Sequence, residues 1–286
     1  MLFRSGKIDE AMNNYNNVLK LNPNNYLAYS AKGYILTWIN KDFISGIENY
    51  NKALNLIQGE ERTSLLYELA RVYMDIGFVD ESLSYIKEAL IFDNDTLGYY
   101  GWMAWVNFNL GNFEKALEQQ KRSRGSDTTG YIPMDYYNCL PDEYKEEAFM
   151  NARKIIDSYK RRKSLLLQYA HRIGYSLWQV GKKEEAEYYF NEQIKYGEES
   201  IKLNRNIAQK KAAQYDLAAT YAFLGNKEKA YYYLEDFASM NTFPMWWVTL
   251  IKNDPLFKPI RNEERFLNIE KKVESKFNKE HEKVKK

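Results

Sequence analysis

Few residues in this 286-residue chain have catalytic potential. It has two histidines, His171 and His281, and one cysteine, Cys139. A Cys139–His171 pair could form a nucleophile and its base, but nothing in the residue order places the two together, and no third group is indicated. No Cys/His cluster has zinc-ligand spacing, and no Gly-rich phosphate loop follows a strand. Carboxylates are plentiful, yet they recur with Lys at i, i+4 spacing, the pattern of a solvated helix face. No catalytic, cofactor-binding or metal-binding residue is therefore assigned, no cofactor is expected, and the chain reads as a non-enzyme.

Composition narrows the function classes further. Lys and Arg number 41 against 39 Asp and Glu, so the surface is mixed and close to neutral. That gives no basic stripe for nucleic acid. No apolar run is long enough to cross a bilayer. The lone cysteine excludes an internal disulfide framework and leaves the compartment open, cytoplasmic or periplasmic. Aromatic residues are abundant, with 25 Tyr, 14 Phe and 6 Trp. Recognition through large rings is the chemistry this composition offers.

The elements that must position those rings recur at a fixed period. Gly6-Lys-Ile-Asp-Glu-Ala11 is followed by Gly77-Phe-Val-Asp-Glu-Ser82 and Gly111-Asn-Phe-Glu-Lys-Ala116, then by Gly181-Lys-Lys-Glu-Glu-Ala186 and Gly225-Asn-Lys-Glu-Lys-Ala230. With Lys41 occupying one rung, the early spacing is 34 to 36 residues, which indicates stacked helix pairs rather than one globular core. Each Gly allows the positive φ that closes one helix and opens the next. The acidic residues after it fall in the first turn of the following helix, where the dipole favours them. The small residue five positions on lets two helices approach closely. Before Gly77, the residues Leu66, Leu69, Ala70 and Tyr73 keep helical spacing, as do Leu217, Ala218, Tyr221 and Leu224 before Gly225.

These residues resemble the tetratricopeptide repeat family over nearly the whole chain. Tyr15, Tyr50 and Phe190 fall at its aromatic packing position, and Leu21-Asn22-Pro23 supplies its helix-stopping proline. The resemblance implies an all-α, right-handed superhelical solenoid of stacked antiparallel helix pairs with a C-terminal capping helix. The expected organisation is an array of about six to seven repeats over 1–242, then a cap and charged helical tail over 243–286. Some rungs depart from the pattern: Lys41 replaces a Gly, while Gly46 and Ser82 replace the Ala. Gly111 to Gly181 spans 70 residues, so one repeat near 126–162 is expected to be degenerate, with its second helix at Glu147-Ala148. Gly181 to Gly225 spans 44, a surplus expected to lengthen the helices around Tyr188 to Asn206.

Both ends carry expectations. The first rung enters a repeat halfway, which suggests a piece of a longer protein and an exposed leading helix able to pair with its own copy. The stretch from Phe243 to Phe266 is similar to the closing block of bacterial repeat arrays, in which an Asp-Pro-x-Phe turn precedes a final helix. Such arrays are often joined to signalling or DNA-binding modules. The Lys/Glu-rich segment from Glu270 onward reads as a solvated helix that frays.

In this family the first helix of each pair lines a concave surface. Carried over repeat by repeat, that implies a partner-binding groove of Tyr34, Trp38, Tyr67, Arg71, Trp102, Trp105 and Asn109, continuing through His171, Arg172, Tyr175, Trp178, Gln179 and Tyr215, with Glu68 and Asp216 beside them. Aromatics and Arg dominate interface energetics, and such a groove suits an extended peptide or a helix with apolar anchors. The Trp102–Trp105 segment is the expected centre. The competing reading is that many rings only fill space between helices, and Trp246 and Trp247 are expected to anchor the cap. The family's carboxylate clamp does not carry over: its positions hold Ser30, Tyr34, Tyr67, Arg71, Gly101 and Trp105 rather than Lys and Asn. Two functions follow: a scaffold that captures a protein or peptide, or a sensor array regulating an effector elsewhere in a longer chain.

Overall fold

The computed structural model describes residues 7–125, 132–162 and 169–285, and every regular element among them is helical. Contacts sort the chain into two compact units, one reaching to Trp102 and including the residues from Phe277 onward, the other running from Met103 to Lys276. This division differs from the boundary at 242/243 that the repeat pattern suggests. The Gly6 rung begins outside the described residues, as does part of the stretch leading into the degenerate repeat.

Unit 1 contains α1 (Ile8–Leu21), α2 (Tyr26–Tyr34), α3 (Phe43–Leu56), α4 (Arg62–Asp75), α5 (Val79–Asp93) and the start of α6 (Thr96–Asn109). Pairs α2/α3 and α4/α5 pack side by side, and α1 rests on α2 with Ala11 buried. Local chemistry sets the ends: the Asn25 carbonyl accepts the Ala28 N–H at 2.9 Å, and the Asp42 carboxylate accepts that of Ser45 at 3.1 Å. At the α4/α5 turn, Gly77 has φ +89°. Its N–H bonds Met74 O while that of Phe78 bonds Tyr73 O, the paired bonds of a Schellman cap. Lys41 holds the equivalent left-handed conformation at φ +60°, after a π-helical turn over Ile35–Asn40. That turn explains Gly46, because a Cβ there would lie 2.0 Å from Thr37 Oγ1. Tyr50, Leu66, Leu69 and Ile76 fill the core, with Tyr50 lying flat on Gly33.

Unit 2 contains the rest of α6, then α7 (Phe113–Arg122), a single turn α8 (Asp135–Asn138), and α9 (Lys145–Arg162). These are followed by α10 (Ala170–Gln179), α11 (Lys183–Lys202), a second single turn α12 (Asn206–Gln209), α13 (Ala212–Phe223) and α14 (Lys227–Phe237). The unit closes with α15 (Met245–Asn253) and most of α16 (Glu264–Lys285). Pairs α10/α11 and α13/α14 repeat the packing of unit 1, and Phe190 lies on Gly174 as Tyr50 does on Gly33. The degenerate repeat keeps its second helix, α9, with Ala148 buried. The surplus before Gly225 goes into α11, 20 residues long, and into α12. The Asp-Pro-x-Phe turn forms as expected: the Asp254 side chain accepts the Leu256 N–H at 3.1 Å, and Phe257 and Phe266 are buried.

The charged tail departs from its expectation. It remains helical to Lys285, and its last turns dock within unit 1. Phe277 lies against Gly77, His281 stacks on Phe78 at 4.3 Å, and Val284 packs on the apolar core. His281 Nδ1 also donates to Ile76 O at 2.8 Å. The reason is spacing: Phe277, His281 and Val284 fall at i, i+4 and i+7, giving a mostly charged helix one apolar stripe. Among the described residues no helix is long and apolar enough to cross a membrane.

Candidate functional site

The residues expected on the inner face of unit 1 contact one another, although Arg71 Nε has no hydrogen-bond partner. Trp38 donates its indole N–H to Glu68 at 3.1 Å, and the Arg71 guanidinium lies 4.1 Å from the centre of the same ring. Arg71 also pairs with Glu68 at 3.4 Å. Tyr67 and Trp102 stack at 4.7 Å with their planes 9° apart, and the Tyr67 hydroxyl donates to Asp93 at 3.0 Å. Tyr34 is exposed at the edge of this set. Beneath it, burial raises the Asp75 carboxyl to about 7, with Arg71 and Lys41 opposing and Glu68 adding to the rise.

Unit 2 arranges the same residue types around open space. A cavity of about 390 Å³ is lined by rings from Trp105, Phe108, Tyr136, Tyr169, Trp246 and Trp247, and by Asp135, His171, Arg172 and Asp216. The volume lies within the range of ordinary ligand sites, about 300–1,000 Å³. Helix α6 supplies Trp105 and the single turn α8 supplies Asp135 and Tyr136. His171 and Arg172 come from α10, Asp216 from α13, and the Trp pair from the start of α15. Trp246 and Trp247 stack at 3.9 Å.

The floor of this cavity is a buried network of charge. Arg172, 3% exposed, bonds Asp135 at 2.7 Å through Nε and approaches Asp254 at 3.6 Å through Nη2. Burial works against its charge, but Asp135 and Asp254 hold it firmly cationic. Asp254 is fully buried and accepts the Tyr215 hydroxyl at 3.1 Å. His171 is also buried, and its Nδ1 lies 2.9 Å from the Gln193 carbonyl oxygen, which assigns the proton to Nδ1 and a lone pair to Nε2. Burial, then the Arg172 charge, pushes its pKa well below the usual histidine value. Nε2 faces Asp216 at 3.5 Å, too long to count as a good hydrogen bond. Burial raises the Asp216 carboxyl to about 8 despite Arg172 nearby. Arg172 Nη1 also has no hydrogen-bond partner. His171 Nε2 and Arg172 Nη1 thus have no hydrogen-bond partner within the protein.

Within unit 2 the residues read from the sequence separate into three sets. Trp105, His171 and Arg172 meet at this cavity. Tyr175, Trp178 and Gln179 line a second one in unit 2 with Phe223, Asp142 and Lys258. Asn109 and Tyr215 are wholly buried beneath, Asn109 bonded to Trp105 O and Tyr215 packed among Phe237, Trp247 and Phe257. They support a surface rather than present one. Trp246, read as a cap anchor, lines the cavity as well. Asp135, Tyr136 and Tyr169 were not foreseen, because they belong to the degenerate repeat and the segment after it, where no rung marks an inner face.

The same geometry disfavours a thiol nucleophile. Burial, and then the Asp254 charge, push the Cys139 thiol well above its usual value, away from the reactive thiolate. Among the described residues no group of three His, Cys, Asp or Glu side chains is placed to hold a metal ion.

Comparison with known proteins bears on the fold. Residues 1–37 match the family model for the TPR repeat. No curated protein matches the chain. Among solved structures, MamA is 22% identical, covering 58% of this chain and 95% of its own, with a TM-score of 0.40. The C-terminal part of a TPR repeat-containing protein from Cytophaga hutchinsonii is 14% identical, covering 94% and 96%, at 0.45. A Rap protein complexed with competence and sporulation factor is 20% identical, covering 91% and 67%, at 0.41. These overlaps are too loose to speak to function. The chain thus opens on a segment similar to the TPR repeat, and the same Gly-bounded helix pair recurs in both units.

Proposed function

We propose that this chain is a non-catalytic scaffold that binds a protein or peptide segment, and that the unit 2 cavity is where the segment docks. One observation carries this reading: five Trp and Tyr rings stand around a cavity whose buried polar groups have unmade bonds. Burying such rings against a partner yields more per residue than most other contacts. A segment that also completed the polar floor would remove an existing cost.

The test is affinity capture from the source organism's lysate with mass spectrometry. Wild type is compared with a Trp105→Ala, Trp246→Ala variant and with Trp38→Ala in unit 1. A protein retained by wild type and Trp38→Ala, but lost from a unit 2 variant with an unchanged thermal melt, is the expected result. Equal retention by all three would remove the cavity from the binding surface.

A further inference from the structure

We propose that the unit 2 cavity recognises a basic side chain, a lysine or arginine presented by the partner segment. This rests on the reading of the cavity as the partner site and specifies what it takes. The rings of Trp105, Tyr136, Tyr169 and Trp246 line the space, and aromatic rings attract a cation. Two carboxyl side chains, Asp135 and Asp216, line the same space, and an entering cation favours the ionised form of Asp216. Arg172 is the one permanent cation among the described lining residues, and it is already bound by Asp135 and, from behind, by Asp254.

The acceptor side of the cavity is also incomplete in a way that suits a donor. His171 spends its Nδ1 proton on Gln193, leaving the Nε2 lone pair beside Asp216 Oδ1 with no hydrogen bond between them. An ammonium has three donors and a guanidinium five, and neither has an acceptor. Either would give the His171 lone pair the partner it lacks and bring a donor to Asp216. An anion would answer Arg172 Nη1, which also lacks a partner, but would meet Asp135 and leave the His171 lone pair unmade; an apolar side chain would leave both unmade. The aromatic lining decides for the cation.

The experiment titrates wild type with the blocked peptide Ac-Gly-Leu-Lys-Leu-Gly-NH2, with its norleucine and glutamate counterparts, and with free spermidine, following tryptophan emission and heat of binding. The lysine peptide is expected to bind saturably, at least about tenfold tighter than the norleucine and glutamate peptides and spermidine. Asp216→Asn should cut lysine-peptide affinity by about tenfold while leaving norleucine-peptide affinity unchanged. If that variant folds poorly, Trp246→Leu removes one ring and should weaken the lysine peptide severalfold. Norleucine or glutamate peptides binding as tightly as lysine would overturn the cation assignment but leave the cavity as a docking site. Equal binding by spermidine would overturn the side-chain source. Lysine-peptide binding untouched by both variants would place the ligand elsewhere and overturn the docking site too. No saturable binding of the lysine peptide in the millimolar range would also overturn the cation assignment, while the capture experiment would still decide the scaffold reading on its own.

Discussion

Large rings on the inner helices end differently in the two units. In unit 1, Trp38 has Glu68 on its N–H and Arg71 on its face, and Tyr67 and Trp102 cover each other. In unit 2, Trp105 and Trp246 stand around a cavity over a buried Arg–Asp network. The difference traces to regularity. Where helix pairs follow one another in step, each ring meets a neighbour from the next pair. Where the repeat is degenerate, the single turn α8 replaces a full helix, and it carries Asp135 and Tyr136 to the cavity wall. A defect in the array, more than its period, makes room for the cavity.

The sharpest way to break this comparison is to remove one arginine from each unit. Arg172→Met strands the buried Asp254 and should cost about 3–5 kcal/mol. Arg71→Met loses a half-exposed ion pair and a cation–π contact and should cost about 1 kcal/mol or less. Urea denaturation of both variants decides it; similar losses would mean that the unit 2 network is no more critical than a surface pair.

Titration distinguishes the units next. Asp75 and Asp216 bind a proton more tightly folded than unfolded, where both start from 3.8. Their contribution is full below that value and is lost as pH rises, up to about 7 for Asp75 and about 8 for Asp216. Stability should therefore fall from about pH 4 to about pH 8 by as much as a few kcal/mol. Asp75→Asn should flatten the lower part of that fall, and Asp216→Asn should also flatten its upper end. Melts across this range check both, and an unchanged slope in Asp216→Asn would remove the raised carboxyl from unit 2.

Turn chemistry provides a smaller contrast of opposite sign. Gly181→Ala forces a Cβ into φ +80° and should cost about 1–2 kcal/mol. Lys41→Gly relieves the same conformation in unit 1 and should gain about 0.5–1 kcal/mol. Thermal melting reads both; a loss in Lys41→Gly would show that the Lys41 side chain contributes more than its backbone strain. Smallest is His281→Ala, which removes one ring stack and one hydrogen bond. It should cost about 1 kcal/mol. Hydrogen exchange should rise over 277–285 without change in α10 or α13.

Much of the fold was legible because its signals are local. Positive φ at Gly77, Gly181 and Gly225, acidic first turns, and buried Ala116, Ala186 and Ala230 each depend on residues within a few positions of one another. The docked tail was missed because its charge density outweighs three apolar residues until a surface is present to receive them. The candidate site was legible only in part. Trp105, His171 and Arg172 lie on the inner-helix positions the period points to, but their ligand-facing company comes from segments without a period.

The sequence by itself determined the helix pairs, their turns and the absence of an obvious catalytic set, because helix caps, spacing and small-residue contacts are decided within about one turn of chain. Only the tertiary structure decided that Trp38 is covered while Trp246 lines a cavity, that Tyr215 is core, and that Asp254 lies beneath Arg172. Burial and charge pairing depend on residues from about 30 to more than 80 positions apart meeting in space, and no local pattern encodes which of them will meet.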